Sequence, residues 1–124
     1  MANINETVAH YVAAWNERDD GRRRELIART WVEDGTYLDA HRRALDHASI
    51  DGLIKTAQER FPGYKVRLVS GIETHNGHVR FSWAAGGTTE APLYLGGTDF
   101  ATVGTDGRFR SVVGFTDAAP APIA

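Results

Sequence analysis

Apolar side chains recur at Ile4, Val8, Tyr11, Val12 and Trp15, while Glu6, His10, Asn16 and Glu17 fall elsewhere around the turn. That spacing predicts an amphipathic helix, and Asn3 followed by Glu6 has the form of a capping box at its start. Asp19-Asp20-Gly21 breaks the period, and one of these aspartates can cap a second helix running to about Trp31. Its inner face is Leu26, Ile27, Thr30 and Trp31, and the run Arg22 to Arg24 reads as a solvated face. Glu33-Asp34-Gly35 reads as a turn into a short strand, Thr36 to Asp39. Residues 40 to 46 form a loop into a third helix, where Ile50, Leu53, Ile54, Ala57 and Phe61 repeat at three and four until Pro62-Gly63 stops it.

From Tyr64 onward the period falls to two. Val66, Leu68, Ser70 and Ile72 alternate on one strand, and Val79, Phe81 and Trp83 on the next. Asn76-Gly77 between them is a two-residue hairpin signal, because both residues tolerate positive φ. Gly86-Gly87-Thr88-Thr89 makes a looser connection to the strand in GGTDFATVG, and Asp106-Gly107 closes a last hairpin into residues 109 to 115. Helices followed by a run of strands indicate an α+β fold, with the helices on one face of a mainly antiparallel sheet. A curved sheet wrapped by three helices makes a cone-shaped barrel whose mouth can hold a small ligand.

At 124 residues the chain has the length of one domain, assigned to 1–117, with the Pro/Ala-rich 118–124 as a flexible tail. Interspersed charges and a formal net charge of −2 point to no nucleic-acid partner and no membrane surface. The absence of cysteine removes disulfides, thiol nucleophiles and cysteine-bound zinc. The N-terminus lacks the pattern of a signal peptide, so a cytoplasmic setting is expected. His75 and His78 flank an exposed turn without acidic companions and read as surface residues, which leaves no metal site. No phosphate loop, dinucleotide fingerprint or nucleophile elbow occurs.

The chemistry that remains is Asp99, an acid on the same strand face as Ala101 and Val103, together with Tyr11 on the apolar helix face and Asp39 at the end of the first strand. A carboxylate on an inward face is costly unless it is paired or protonated. Two readings stand side by side: a Tyr–Asp bond tying helix to sheet, with Asp39 capping a loop, or three polar groups lining a ligand pocket. Trp15, Phe61, Phe81 and Trp83 are candidates for the apolar wall, to bind substrate.

"HYVAAWNERDD" with "WVEDGTYLDA", and "APLYLGGTDFATVGTDGRFRSVVGF" near the end, resemble the SnoaL-like branch of the nuclear transport factor 2 superfamily, with ketosteroid isomerase as a relative. "FPGYKVRL", "HVRFSW" and "VVGFTD" are similar to small bacterial SnoaL-like proteins. The resemblance implies a cystatin-like cone, a homodimer packed through the outer sheet face, and proton transfer on a small carbonyl compound, as an isomerase or cyclase without metal or organic cofactor. It implies Asp39 as general base, Tyr11 as phenolic donor and Asp99 as a carboxylic acid kept neutral, a device the isomerase exemplifies. This chain departs from the isomerase at Ala40, where that enzyme has proline, and His41-Arg42-Arg43 is more cationic than a steroid pocket, which favours a charged or polar substrate. The alternatives are a binding or scaffold protein that keeps the pocket without the chemistry, and an epoxide hydrolase needing Arg42, Arg67 or Arg80 to point inward.

Overall fold

A computed structural model describes residues 3–87 and 94–117, so the expectation for the tail 118–124 lies outside the described residues. Three helices lie in the N-terminal half of the chain: α1 (Ile4–Asn16), α2 (Asp20–Thr30) and, after the first two strands, α3 (His47–Arg60). Each begins at a side-chain cap. Asn3 accepts from the Glu6 backbone N–H, Asp19 from Arg22, and Asp46 from Ser49.

The strands are β1 (Trp31–Leu38), β2 (Arg43–Ala44), β3 (Lys65–Leu68), β4 (Glu73–His75), β5 (His78–Gly86), β6 (Tyr94–Val103) and β7 (Phe109–Thr116). They form one sheet in the order β2-β1-β7-β6-β5-β3, with β4 also paired to β5. All neighbours are antiparallel except β1 and β7, which run parallel and bring the first strand against the last. The α+β, cystatin-like architecture expected from the sequence is therefore present, as three helices on a curved, open, mixed sheet.

The hairpin at Asn76-Gly77 forms as its residues require, with φ of 47° and 74°. Two boundaries differ from expectation. Glu33-Asp34-Gly35 is not a turn but lies within β1, where the register against β7 shifts between Trp31 and Thr36. At Gly35 a Cβ would stand 2.9 Å from the Trp31 side chain, so the bulge depends on glycine to let the strand fold over that ring. The single strand expected through Val66 and Ile72 is instead two short ones, β3 and β4, both paired to β5.

The core lies between the helices and the inner sheet face, built around Val8, Tyr11, Ile27, Trp31, Ile50, Ile54, Phe81, Phe109 and Val112. Arg23 corrects the solvated-face reading of its triplet: Arg22 and Arg24 are exposed, but Arg23 is 1% exposed. Its guanidinium donates to Asp51 and Asp20 at 2.6 Å and to the Glu17 carbonyl at 3.2 Å, tying all three helices together. Replacing Arg23 by Met should lower unfolding free energy by about 2 kcal/mol in urea, below the ~3–5 kcal/mol of a fully buried pair because Asp20 keeps access to water. A loss under about 0.5 kcal/mol would show that the cluster holds nothing together.

Candidate functional site

The strand alternation that raised the question about Asp99 holds along β6. Gly97, Asp99 and Ala101 are buried, while Phe100 between them is exposed. Asp99 is 2% exposed, yet both carboxylate oxygens have partners. Tyr11, carried inward by α1, donates its O–H to Oδ2 at 2.5 Å, and the Trp83 indole N–H on the neighbouring β5 donates to Oδ1 at 3.0 Å. A carboxylate fixed by two neutral donors keeps an orientation and spare lone pairs.

Glycine makes this arrangement possible. Gly114 sits opposite Asp99 on β7, and a Cβ there would lie 2.8 Å from Asp99 Oδ1 and 3.2 Å from the Tyr37 hydroxyl. Two polar side chains thus close over a backbone position that has no side chain of its own.

Beside Asp99 lies a cavity of about 110 Å³. Its volume is somewhat below the ~150 Å³ apolar cavity that takes up benzene, so it suits a ligand of about one ring. Trp15, Tyr37, Phe61, Tyr64 and Trp83 give it aromatic walls, Asp99 faces it from the sheet, and Arg42 stands among its lining residues. Of the residues expected to bind substrate, Trp15, Phe61 and Trp83 therefore line the cavity. Phe81 does not: it is 1% exposed, packed edge-on against Tyr11 and stacked with Phe109 in the core.

Asp39 departs from the pocket-lining reading and matches the alternative one, in which it caps a loop. It follows the last residue of β1 and is absent from the described residues that line the cavity. Its Oδ1 accepts the backbone N–H groups of His41 and Arg42, both at 2.9 Å, while Oδ2 accepts from the Tyr37 hydroxyl at 2.9 Å and from Arg42 Nε at 3.2 Å, with Arg42 Nη2 in ion-pair contact at 3.0 Å. The structure therefore brings Tyr11 and Asp99 together, while Asp39 bonds Tyr37 and Arg42, two residues of the cavity wall, without lining the cavity itself.

The protonation preferences diverge accordingly. Burial pushes the Asp99 carboxyl up to about 6; the Tyr11 and Trp83 hydrogen bonds hold it down, and the charge of Asp39 adds to the rise. Burial opposes ionisation of Asp39 too, but is outweighed by the His41 backbone N–H, the Tyr37 hydroxyl and Arg42, and its carboxyl ends below the ordinary value. Both phenols are held protonated: burial, then the charge of Asp99, raises Tyr11 well above the usual phenol and also raises Tyr37.

Tyr37 was not among the expected site residues, and Arg42 entered only as one of the arginines that an epoxide hydrolase would need to point inward. Alternation along a strand places Tyr37 on the same side as Asp39, a usable signal, whereas Arg42 lies in a turn where no period exists. Arg67 and Arg80 are exposed, as the alternation required. No group of three or more His, Cys, Asp or Glu able to hold a metal occurs among the described residues, nor is any helix there long and apolar enough to cross a membrane.

No protein-family model matches the chain, and no curated protein matches it. Solved structures do. A candidate isomerase of the SnoaL-like family from Agrobacterium tumefaciens strain C58 is 35% identical, with 95% of this chain covering 100% of that one at a TM-score of 0.85. A SnoaL-like polyketide cyclase candidate from Jannaschia sp. CCS1 is 16% identical over 92% of this chain and 85% of its own, at a TM-score of 0.74. A cystatin-like protein of unknown function from Methylobium petroleophilum PM1 is 18% identical over 95% and 78%, at 0.75. The latter two likenesses concern the fold alone.

Proposed function

This chain belongs to the SnoaL-like family, a premise from which we propose that it moves a proton on a small carbonyl compound held in the cavity, as an isomerase or cyclase. The observation that carries the reading is the Asp99 carboxylate, poised near 6 and facing an aromatic-walled cavity of one-ring size. A base needs a pKa near the working pH and a position in reach of the substrate; the raised carboxyl of Asp99 and its place on the cavity wall support it as the base, in place of the neutral acid that the resemblance implied, over Asp39, whose carboxyl is lowered and off the wall.

In the proposed step the Asp99 carboxylate takes a hydrogen from the carbon next to the carbonyl. The C–H electron pair becomes the new C=C bond, and the carbonyl π pair moves to oxygen. Returning the proton at another carbon gives an isomer, while attack of the enolate carbon on a second carbonyl closes a ring, the π pair of that carbonyl moving to its oxygen, which takes the proton back from Asp99. Tyr11 and Trp83 fix the carboxylate throughout, and the aromatic walls exclude water. In this account Asp39 is a positioning residue that holds Tyr37 and Arg42.

The test is exchange of ring α-hydrogens for deuterium in a one-ring ketone, followed by NMR in deuterium oxide. Exchange above the buffer rate that a cavity-filling inert hydrocarbon suppresses is expected. Binding of the ketone without any exchange would leave the chain as a pocket protein without this chemistry.

We also propose a homodimer through the outer sheet face. Phe115 is 61% exposed there, its ring 5.8 Å edge-on from that of Phe100, with Val113 paired to Phe100 in register. Sedimentation equilibrium should give twice the 13.6 kDa chain mass, and Phe115→Glu should reduce it to the chain mass. A wild-type monomer at tens of micromolar would reject the dimer.

A further inference from the structure

Only one residue of the cationic turn His41-Arg42-Arg43 lines the cavity, and its surroundings fix it there. The Arg42 guanidinium stands 6.0 Å over the Trp15 ring, a wall residue, while Nε and one terminal nitrogen point at Asp39 Oδ2. Asp39 does not depend on that cation alone. Two backbone N–H groups and the Tyr37 hydroxyl already bond its oxygens, and its side chain is 7% exposed. The carboxylate thus orients the guanidinium more than the guanidinium satisfies the carboxylate. Arg42 Nη1 has no hydrogen-bond partner among the described residues, and the side chain is 40% exposed.

From this we infer that the substrate is a carboxylic acid: a one-ring keto acid whose carboxylate meets the free edge of Arg42 while its ring and ketone reach inward to Asp99. The inference rests on the cavity being the substrate site. A stacked, pre-oriented guanidinium loses little freedom on binding and offers forked donors that match a carboxylate. The cavity lining thus combines a cation held over the Trp15 ring with a proton-accepting acid, Asp99, among aromatic walls.

The charged groups facing such a ligand are Arg42, Asp99 and, behind Arg42, Asp39. Ionised Asp99 repels a second anion, so binding of the acid should weaken as pH rises through the titration of Asp99, whereas an uncharged analogue should lose less.

A matched pair tests the idea: 3-oxocyclohexane-1-carboxylate against 3-oxocyclohexane-1-carboxamide, titrated into the full chain at neutral pH and followed by NMR. The acid should bind about tenfold more tightly than the amide, the scale of one charge-assisted contact. Arg42→Met should erase that difference, and Arg42→Lys should keep part of it. Equal affinities in the wild type, a preference that survives Arg42→Met, or no binding of either compound at millimolar concentration would each overturn the inference. α-Hydrogen exchange in the same samples separates the two proposals. Exchange with no preference for the acid sinks only the keto-acid assignment, and a preference without exchange sinks only the proton-transfer chemistry.

Discussion

Asp99→Asn should slow α-hydrogen exchange at least a hundredfold, within the ~10²–10⁴-fold that general base catalysis supplies. The substitution keeps the shape of the side chain, and Asn still offers an oxygen to Tyr11 or Trp83. Ligand affinity should therefore change far less than rate, a loss in turnover at nearly constant saturation. The informative partner is Asp39→Asn. If Asp39 only holds Tyr37 and Arg42, its loss should cost less than about tenfold in rate and appear mainly in binding. Equal losses in the two variants, or a larger one at Asp39, would return the base to Asp39 and overturn the assignment made from the geometry.

That assignment rests on a distinction the sequence carries only in part. Alternation along β6 put Asp99 on the inner face beside Ala101, and the helical period put Tyr11 on the inner face of α1, so their meeting was legible. Periodicity names a face but not a depth along it. Phe81 shares the inner face of β5 with Trp83, yet only Trp83 reaches the cavity, while Phe81 sits two residues deeper against Tyr11. For Asp39 the inward reading, one of the two left open, fails for another reason. Counting from Tyr37 sends it inward, but β1 ends at Leu38, and the chain turns so that the Asp39 carboxylate caps the N–H groups of His41 and Arg42.

Arg23 is the opposite case, a signal that was present and outweighed. It lies four and seven residues before Ile27 and Thr30, on the buried stripe of α2, but its place inside a basic triplet made solvent the natural assumption. Partners that justify burying it, Asp51 above all, come from a helix nearly thirty residues away. No local pattern announces such a contact. The bulge at Gly35 is similar, since only the packing of Trp31 decides that Glu33-Asp34-Gly35 continues a strand and does not turn.

Asp99 should also leave a mark on stability that no exposed acid can. Its carboxyl titrates near 6 in the folded chain against an ordinary 3.8, so between those values the folded state binds more protons than the unfolded one. Stability therefore falls as pH rises through this window and is level above it, the reverse of the contribution of Asp39, whose lowered carboxyl stabilises the fold above the ordinary value and ceases to do so in acid. At 1.36 kcal/mol per pH unit, the Asp99 contribution is about 3 kcal/mol. Comparing wild type with Asp99→Asn cancels the groups common to both chains. Near pH 4 the two should unfold at similar urea concentrations, because a protonated Asp and an Asn are close in size and both uncharged. By pH 7 the variant should be the more stable by an amount approaching that figure, having no charge to bury. A stability difference that stays flat from pH 4 to pH 7 would mean that Asp99 ionises as easily inside the protein as in water. It would then be a well-solvated acid, without the raised affinity for a proton that the catalytic step requires.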